Sequence, residues 1–214
     1  MKCIVLLSGG LDSAVSLAWA KRNRYPILCL TFLYGQKAAH KEKEAATMLA
    51  DHFQIDISVV EITFLKEITK TALVNDNLEV PNASELEDEK EGRERAKKVW
   101  VPNRNGIFLN IAAAYAESLE AYNVIAGFNK EEALTFPDNS PEFIQAVNGS
   151  LEFSTLNKVK ILSPTQNLNK EEIVTLGHKL DLPFDYIWSC YLGEEKMCGE
   201  CESCQRLLRA LKNN

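Results

Sequence analysis

The stretch from Cys3 to Ser13 constrains the fold more than any other part of the chain. The apolar run Cys3 to Leu7 predicts a buried parallel strand, and the helix formers of 14–21 predict a helix. Between them, Ser8-Gly9-Gly10 predicts a sharp turn, in which adjacent glycines let the backbone approach a ligand closely. A strand, a glycine turn and a helix N-terminus direct free backbone N–H groups and a helix dipole at one spot. Such a spot favours polyphosphate.

The turn sequence differs from the common phosphate-binding motifs. A P-loop ends in Gly-Lys-Ser/Thr, whereas the first lysine after this turn is Lys21. The run Ser8-Gly9-Gly10-Leu11-Asp12-Ser13 instead resembles the pyrophosphate loop of the N-type ATP pyrophosphatases. Those enzymes cleave ATP between its α- and β-phosphates and adenylate an oxygen of their substrate. The resemblance implies ATP binding by this run and by Leu7, with catalytic roles for Asp12 and Ser13. An ordinary strand-to-helix turn is the alternative.

Length and composition suit one α/β domain with at most a small addition. The chain has 214 residues, 46% of them apolar, and a net charge of −6. That charge argues against a broad nucleic-acid surface, and no run has the apolar length of a membrane span. Met1-Lys2 leads directly into the first strand, so we expect no signal peptide and a cytoplasmic location.

Strands and helices alternate along the chain and predict its architecture. Apolar runs predict further strands at 27–32, 57–62, 123–127 and 160–162. The alternation predicts a doubly wound, mostly parallel α/β sheet, and the turn resemblance makes it adenine nucleotide α-hydrolase-like. We place this ATP-pyrophosphatase-like domain at 1–183.

Polar residues follow the strand ends, at the edge where parallel sheets bind ligands. Tyr34 and Gln36 follow the second strand. Arg104 and Asn105 are predicted in a loop before a helix at about 107–120. Arg104 is our candidate phosphate clamp, because a loop before a helix N-terminus is suited to meeting an anion.

Residues 82–98 change character, with acidic residues first and basic residues last. This pattern predicts a solvated, partly helical excursion. A lid over the site is the alternative.

Four cysteines near the end of the chain have the spacing Cys-x7-Cys-x2-Cys-x2-Cys. Two-residue gaps let consecutive thiolates converge on one ion, and four thiolates suit a structural, tetrahedral Zn²⁺. An iron–sulfur cluster is the main alternative, and unrelated free thiols are another. We therefore predict a small zinc-binding segment at 184–214, packed on the domain. Its ligands would be Cys190, Cys198, Cys201 and Cys204.

Taken in order, these motifs resemble the QueC (7-cyano-7-deazaguanine synthase) family over essentially the whole chain. The set comprises Ser8–Ser13, Tyr34-Gly35-Gln36, Val101-Pro102-x-Arg104-Asn105, Pro137-Asp138-x-x-Pro141-Glu142-Phe143, Trp188-Ser189-Cys190-Tyr191 and Cys198/Cys201/Cys204. The resemblance implies a homodimeric ligase of the queuosine and archaeosine precursor pathways. Such an enzyme would use ATP, ammonia and 7-carboxy-7-deazaguanine, with one zinc per chain, and would adenylate first the carboxylate and then the amide. Mg²⁺ would neutralise the phosphates of ATP. Free ammonia is expected, because Lys2 stands where a glutaminase of the N-terminal nucleophile class needs cysteine.

The resemblance also indicates where the deazaguanine binds. Segment 129–140 departs from the family's usual sequence, which leaves the exact acceptor open. A carboxylate in this segment could accept hydrogen bonds from the exocyclic amine and the ring N–H together. Asp138 is the first choice for that role and Glu132 the reserve. The candidate substrate-binding residues are Tyr34, Asn129, Glu132, Asp138 and Trp188.

Two other functions remain open at this point. One is a related ATP pyrophosphatase that adenylates another acceptor, either amide-forming or tRNA-modifying. The tRNA-modifying form would need a basic surface, which the net charge disfavours, so we expect no nucleic-acid partner. The other is a non-enzymatic zinc regulatory protein, which would leave the glycine turn without a purpose.

Overall fold

A parallel β-sheet forms the centre of the computed structural model, which describes residues 1–82, 94 and 96–212. The strand order is β3-β2-β1-β4-β5, and every neighbouring pair is parallel. The strands fall where the apolar runs predict them, which confirms the doubly wound parallel sheet. They are β1 (Lys2–Leu6), β2 (Tyr25–Leu33), β3 (Ile57–Glu61), β4 (Asn123–Ile125) and β5 (Lys160–Leu162).

Helices connect the strands and cover both faces of the sheet. Short 3-10 turns span Pro137–Asn139 and Phe184–Tyr186. Among the described residues, no helix is both long and apolar enough to cross a bilayer. The helices are α1 (Leu11–Asn23), α2 (Ala39–Phe53), α3 (Thr63–Ile68), α4 (Arg104–Ser118), α5 (Lys130–Ala133), α6 (Pro141–Ser154), α7 (Lys170–Lys179) and α8 (Glu202–Lys212).

The charged stretch 82–98 lies largely outside the described residues, so its predicted role as an excursion or a lid stays a prediction. Residues 96–99 are helical. Asn82 forms an isolated antiparallel bridge with Cys201, which brings the start of this stretch to the cysteine segment.

Apolar side chains fill both faces of the sheet. Ile4 and Val124 belong to one buried cluster, with residues of α4 and α6. Val5 and Ile125 belong to the other, with residues of α1, α2, α7 and α8. Successive residues of a strand point to opposite faces, so each central strand contributes to both clusters.

The strand order reverses beside β1, where β2 lies on one side and β4 on the other. In open parallel sheets, a crevice forms at the carboxyl ends of strands at such a switch point. Gly127 makes this junction tight, because a Cβ there would lie 2.6 Å from the carbonyl carbon of Asp12. The end of β4 and the start of α1 therefore meet backbone to backbone.

One predicted boundary is wrong. Arg104 is the first residue of α4, rather than a loop residue before a helix at 107. Asn103 is the N-cap in a left-handed conformation, with φ of 52°. A Cβ at Gly106 would collide with the amide of Asn103. Because Gly106 has no side chain, the amide of Asn103 can lie over the first turn of the helix. The helix can therefore begin at Arg104, earlier than predicted.

Gly9 is fixed by packing against α2. Its φ of +83° favours glycine, and a Cβ there would lie 2.7 Å from the Cβ of Ala45 and 2.9 Å from the carbonyl oxygen of Glu42. The space that a side chain of residue 9 would occupy is therefore filled by α2. We had expected this space to be open to a ligand. Gly10 is different, because the nearest atoms to a Cβ there are 3.6 and 3.7 Å away.

We expect Gly9→Ala to lower the free energy of unfolding by about 1–3 kcal/mol, because it adds backbone strain and a contact with α2. Gly10→Ala is the matched control and should lower it much less. Urea denaturation of the two variants measures both effects. Equal midpoints for the two variants would contradict the packing of α2 against the turn.

Candidate active site

Two adjoining cavities of about 180 and 230 Å³ lie at the carboxyl ends of the central strands. We call their joined space the cleft, the larger cavity the strand-end cavity and the smaller one the outer cavity. Polar and charged residues dominate the boundary between them. The residues that line both are Ser8, Gly10, Asp12, Glu42, Arg104, Glu132 and Asn139.

The two cavities differ in their remaining walls. Strand ends and apolar side chains, including Leu7, Leu30 and Phe128, line the strand-end cavity. Tyr34 and Asn105, two of the predicted site residues, face the same cavity. The outer cavity has aromatic and cationic walls, which are formed by Phe136, Trp188, Tyr191, Lys170 and Arg206.

The hydroxyl of Ser13 holds the glycine turn together from inside. It donates a hydrogen bond to the carbonyl oxygen of Gly10 at 2.9 Å and accepts one from the backbone N–H of Ser8 at 3.2 Å. The side-chain oxygens of Ser8 and Ser13 are 3.1 Å apart. Ser13 therefore orders the loop, and the turn is preorganised at the N-terminus of α1.

A buried lysine joins two carboxylates of the cleft. The ammonium of Lys170 lies 2.5 Å from Oδ2 of Asp12 and 2.7 Å from Oε1 of Glu132. The lysine side chain is only 9% exposed. The other oxygen of Asp12, Oδ1, is buried without a hydrogen-bond partner among the described residues.

These groups set one another's ionisation. Burial opposes the ionisation of Glu132, but the charge and hydrogen bond of Lys170 outweigh it and lower the pKa of Glu132 to about 2. Burial raises the pKa of Asp12, and the same lysine only partly offsets it. The pKa of Lys170 is raised, because the carboxylates outweigh its burial. Lys170 therefore stays charged and Glu132 ionised at neutral pH.

Arg104 projects a cation into the cleft with neutral partners. It donates to the hydroxyl of Tyr34 at 3.2 Å and to Oδ1 of Asn105 at 3.4 Å. Its guanidinium carbon lies 5.8 Å from the centre of the Tyr34 ring. Within the described part of the chain, no carboxylate forms a salt bridge with it. The guanidinium can therefore meet an anionic ligand.

Gln36 shapes the site without lining either cavity. Its Oε1 accepts a hydrogen bond from the backbone N–H of Tyr34 at 2.9 Å, and its Nε2 donates to the carbonyl of Phe32 at 3.1 Å. The same amide nitrogen donates to Oε2 of Glu42 at 2.8 Å. Burial raises the pKa of Glu42, against the opposing effects of Gln36 and Arg104. Gln36 thus fixes the position of a carboxyl group on the cleft.

Two of the predicted substrate-binding residues act on their neighbours. Asn129 is fully buried and caps α5, where its Oδ1 accepts the N–H of Glu132 at 2.9 Å. Oδ1 of Asp138 accepts a hydrogen bond from the amide of Asn139 at 3.2 Å. Asn139 lines both cavities, whereas neither Asp138 nor Asn129 lines them.

Trp188 connects the glycine turn to the cysteine segment. Its backbone N–H donates to the carbonyl of Gly9 at 2.9 Å, and its indole N–H donates to the carbonyl of Cys190 at 3.1 Å. Trp188 is one of the residues that line the outer cavity, where the predicted substrate role would place it. The segment that follows is therefore attached directly to the turn.

The four cysteines of the cluster converge, as their spacing predicts. Their sulfur atoms all lie within 4.8 Å of one another. A tetrahedral Zn²⁺ with Zn–S bonds of about 2.3 Å needs sulfur atoms about 3.8 Å apart. Backbone N–H groups of Glu200 and Cys201 each donate to the sulfur of Cys198 at 3.4 Å. Such donors stabilise a thiolate, so the cluster can bind a metal ion.

Three charged residues of the cleft, Lys170, Glu42 and Arg206, were not predicted from the sequence. The sequence does contain one indication of a special role for Lys170. A lysine in the first turn of a helix is unfavourable because its charge opposes the helix dipole. Nothing in the sequence marks Glu42 or Arg206 as a site residue, because charged residues on helices are usually exposed to solvent. Their place on the cleft depends on how α2 and α8 pack.

Solved structures with low sequence identity share this fold. A 4-thiouridine synthetase, determined with RNA and ATP, matches 99% of this chain and 50% of its own, with a TM-score of 0.55 at 20% identity. The U34-tRNA thiolase NcsA of Methanococcus maripaludis, determined with its [4Fe-4S] cluster, matches 86% of this chain and 58% of its own, with a TM-score of 0.51 at 16% identity. The chain thus spans about half the length of these structures. The likeness confirms the adenine nucleotide α-hydrolase-like fold class.

Sequence relatives are much closer. A 7-cyano-7-deazaguanine synthase of Pelotomaculum thermopropionicum is 59% identical over 99% of this chain and 97% of its own. One of Methanosarcina mazei is 47% identical over 100% of this chain and 94% of its own. The family model described as "Queuosine biosynthesis protein QueC" matches residues 2–214. The chain therefore belongs to the QueC family of queuosine biosynthesis proteins.

Proposed function

We propose that the cleft converts 7-carboxy-7-deazaguanine and ammonia to 7-cyano-7-deazaguanine, with ATP as the activating cosubstrate. The proposal rests mainly on the residues at the boundary between the two cavities of the cleft. The glycine turn and Arg104 lie where two cavities of different character meet. One cavity suits a nucleotide and the other a planar acceptor, which is the arrangement that adenylation requires.

The strand-end cavity is our proposed ATP site. Its apolar walls suit the adenosine, and the N–H groups of the glycine turn suit the phosphates. Arg104 can bind a phosphate with charge-assisted hydrogen bonds, because its present partners are neutral. Asn105 lines this cavity and Gln36 supports its rim. Leu7 and Ser8–Ser13 complete the proposed ATP-binding set.

The outer cavity is our proposed deazaguanine site. Phe136 and Trp188 line this cavity, and the ring of Trp100 lies parallel to that of Phe136 at 6.3 Å between centres. Stacked faces suit a planar bicyclic base. Its polar edge needs partners, because each unpaired buried group costs about 1–3 kcal/mol. Asn139, oriented by Asp138, can supply such partners.

The chemistry follows from this arrangement. The carboxylate of the deazaguanine attacks the α-phosphorus of ATP, and pyrophosphate leaves toward the glycine turn, where N–H groups stabilise its charge. Ammonia then displaces AMP to give the amide. Adenylation of the amide oxygen, followed by loss of protons and AMP, gives the nitrile. Mg²⁺ would neutralise the phosphates. Asp12 fits as its ligand, because its buried Oδ1 has no partner among the described residues.

The metal at the cysteine cluster is proposed to be zinc. Four converging thiolates leave no open ligand position, so the ion would be structural. Its role would be to hold α8, which supplies Ser203, Arg206 and Leu207 to the wall of the outer cavity. The homodimer that the family resemblance implies also stays part of this proposal.

Replacement of Arg104 by Gln should slow 7-carboxy-7-deazaguanine-dependent ATP–pyrophosphate exchange about 10- to 100-fold, because a charge-assisted phosphate contact is lost. Arg22→Gln is the matched control, since Arg22 is exposed and, among the described residues, donates to the carbonyl of Lys179. Exchange at the wild-type rate in Arg104→Gln would place the phosphates elsewhere.

Asp138→Ala should raise the KM for 7-carboxy-7-deazaguanine at least about tenfold and leave the KM for ATP nearly unchanged, since Asp138 orients Asn139 at the proposed base site. Asp185→Ala, in the other 3-10 turn, is the matched control. Steady-state assays with each substrate varied give both constants. A parallel rise in both KM values would argue against a base-specific role.

Purified protein should contain about one Zn²⁺ per chain, measured by elemental analysis. Cys201→Ala should release the metal and lower the melting temperature, because metal binding contributes to folding. Cys29→Ala, in a buried strand away from the cluster, should keep the metal. Iron with a visible absorption band would overturn the zinc assignment.

A further inference from the structure

Three carboxylates line the cleft among the described residues, and one of them stands apart. Asp12 and Glu132 share the ammonium of Lys170, at 2.5 and 2.7 Å. Glu42 forms no salt bridge with a described residue. Its Oε2 instead accepts a hydrogen bond from the neutral amide of Gln36 at 2.8 Å. Its carboxylate is therefore not tied to the ammonium of Lys170, and the charge of Arg104 only partly offsets the rise in its pKa that burial causes.

The proposed reaction requires a base. A nitrile nitrogen carries no hydrogen, so every proton of the incoming ammonium must leave during the reaction. The reacting carbon must lie where the nucleotide and the acceptor meet, which is the boundary of the two cavities. A general base must be within hydrogen-bond reach of the proton that it accepts. Glu42 lies on that boundary, since it lines both cavities.

We propose that Glu42 is the catalytic base that removes protons from the ammonia-derived nitrogen. This inference rests on the proposed function, because it assigns a residue to the ammonia-dependent steps. The Gln36 amide that orients Glu42 is itself fixed by bonds to the backbone of Phe32 and Tyr34. The carboxylate is thus held in place before any ligand binds.

The surroundings of Glu42 make it a stronger base than an exposed glutamate. Burial raises its pKa, against the smaller opposing effects of Gln36 and Arg104. Arg104 and Tyr34 are the ionisable groups that interact with it from α4 and the end of β2. Asp12 and Glu132 lie on the same boundary, but both are paired with the ammonium of Lys170. Glu132, with a pKa lowered to about 2, is a much weaker base.

The steps balance without an oxidant or reductant. Glu42 takes one proton from ammonium, and the freed lone pair forms a C–N bond to the acyl carbon. The C–O bond to AMP breaks, AMP leaves with that electron pair, and a second proton passes through Glu42 to water. After the amide oxygen is adenylated, its two N–H protons leave by the same route. The second C–O bond then breaks, AMP departs and the C–N triple bond is complete.

Glu42→Gln tests the inference, because the new amide oxygen can still accept the hydrogen bond of Gln36 but cannot take a proton. Glu44→Gln is the matched control, since Glu44 lies on the same helix, is exposed and pairs with Lys41. ATP–pyrophosphate exchange with 7-carboxy-7-deazaguanine needs no ammonia and should stay near the wild-type rate in both variants. Ammonia-dependent nitrile formation should fall about 100-fold or more in Glu42→Gln alone.

Hydroxylamine separates proton removal from binding, because it is already unprotonated near neutral pH, whereas ammonia is mostly ammonium. Only this first deprotonation is avoided, so Glu42→Gln should lose much less of its hydroxamate formation than of its nitrile formation. Parallel loss of exchange and nitrile formation would overturn the inference, as would nitrile formation at the wild-type rate. Absence of exchange in the wild-type enzyme would instead overturn the proposed function, and this inference with it. Wild-type exchange in Glu42→Gln also shows that the variant is folded.

Discussion

The ammonium of Lys170 is the interaction on which the cleft depends. It joins the first turn of α1, through Asp12, to α5, through Glu132, and so ties the glycine turn to the segment after β4. Removing one partner of a buried ion pair typically destabilises a protein by about 3–5 kcal/mol. The lysine opposes the dipole of its own helix, but the capping box of Asn169 and Glu172 stabilises that helix end. The capping box thus offsets the unfavourable position of Lys170 in its helix and allows one buried charge to be placed in the cleft.

The interaction of Lys170 with two carboxylates also separates the charged residues of the cleft into paired and unpaired groups among the described residues. Lys170 pairs with Asp12 and Glu132 and with neither Arg104 nor Glu42, to which we assign the proposed phosphate contact and the proposed proton transfer. Glu131 extends the network: one of its oxygens accepts the backbone N–H of Lys170 at 2.8 Å and the other pairs with Arg209 at 2.6 Å. Arg209 lies on α8, so the cysteine segment and the glycine turn share one electrostatic network.

The sheet and the cysteine cluster could be predicted because their signals are local. Buried parallel strands are short apolar runs, and metal ligands have fixed spacing. Arg104 was predicted as a site residue but assigned to a loop, because the role of Gly106 in making room for Asn103 is visible only in three dimensions. Glu42 was missed for a similar reason. A charged residue on a helix is usually predicted to be exposed to solvent. Glu42 reaches the cleft because α2 packs against Gly9, which the sequence does not show.

The strand order has a consequence for how the molecule folds. The half formed by β1, β2 and β3 is continuous in sequence, so its contacts close short loops. The pairing of β1 with β4 must bridge about 120 residues, and non-local contacts of this kind form slowly. We expect the first half to assemble early as a partial sheet, with one flank of β1 unpaired. Both walls of the cleft exist only after β4 docks, so ligand affinity should appear late in refolding.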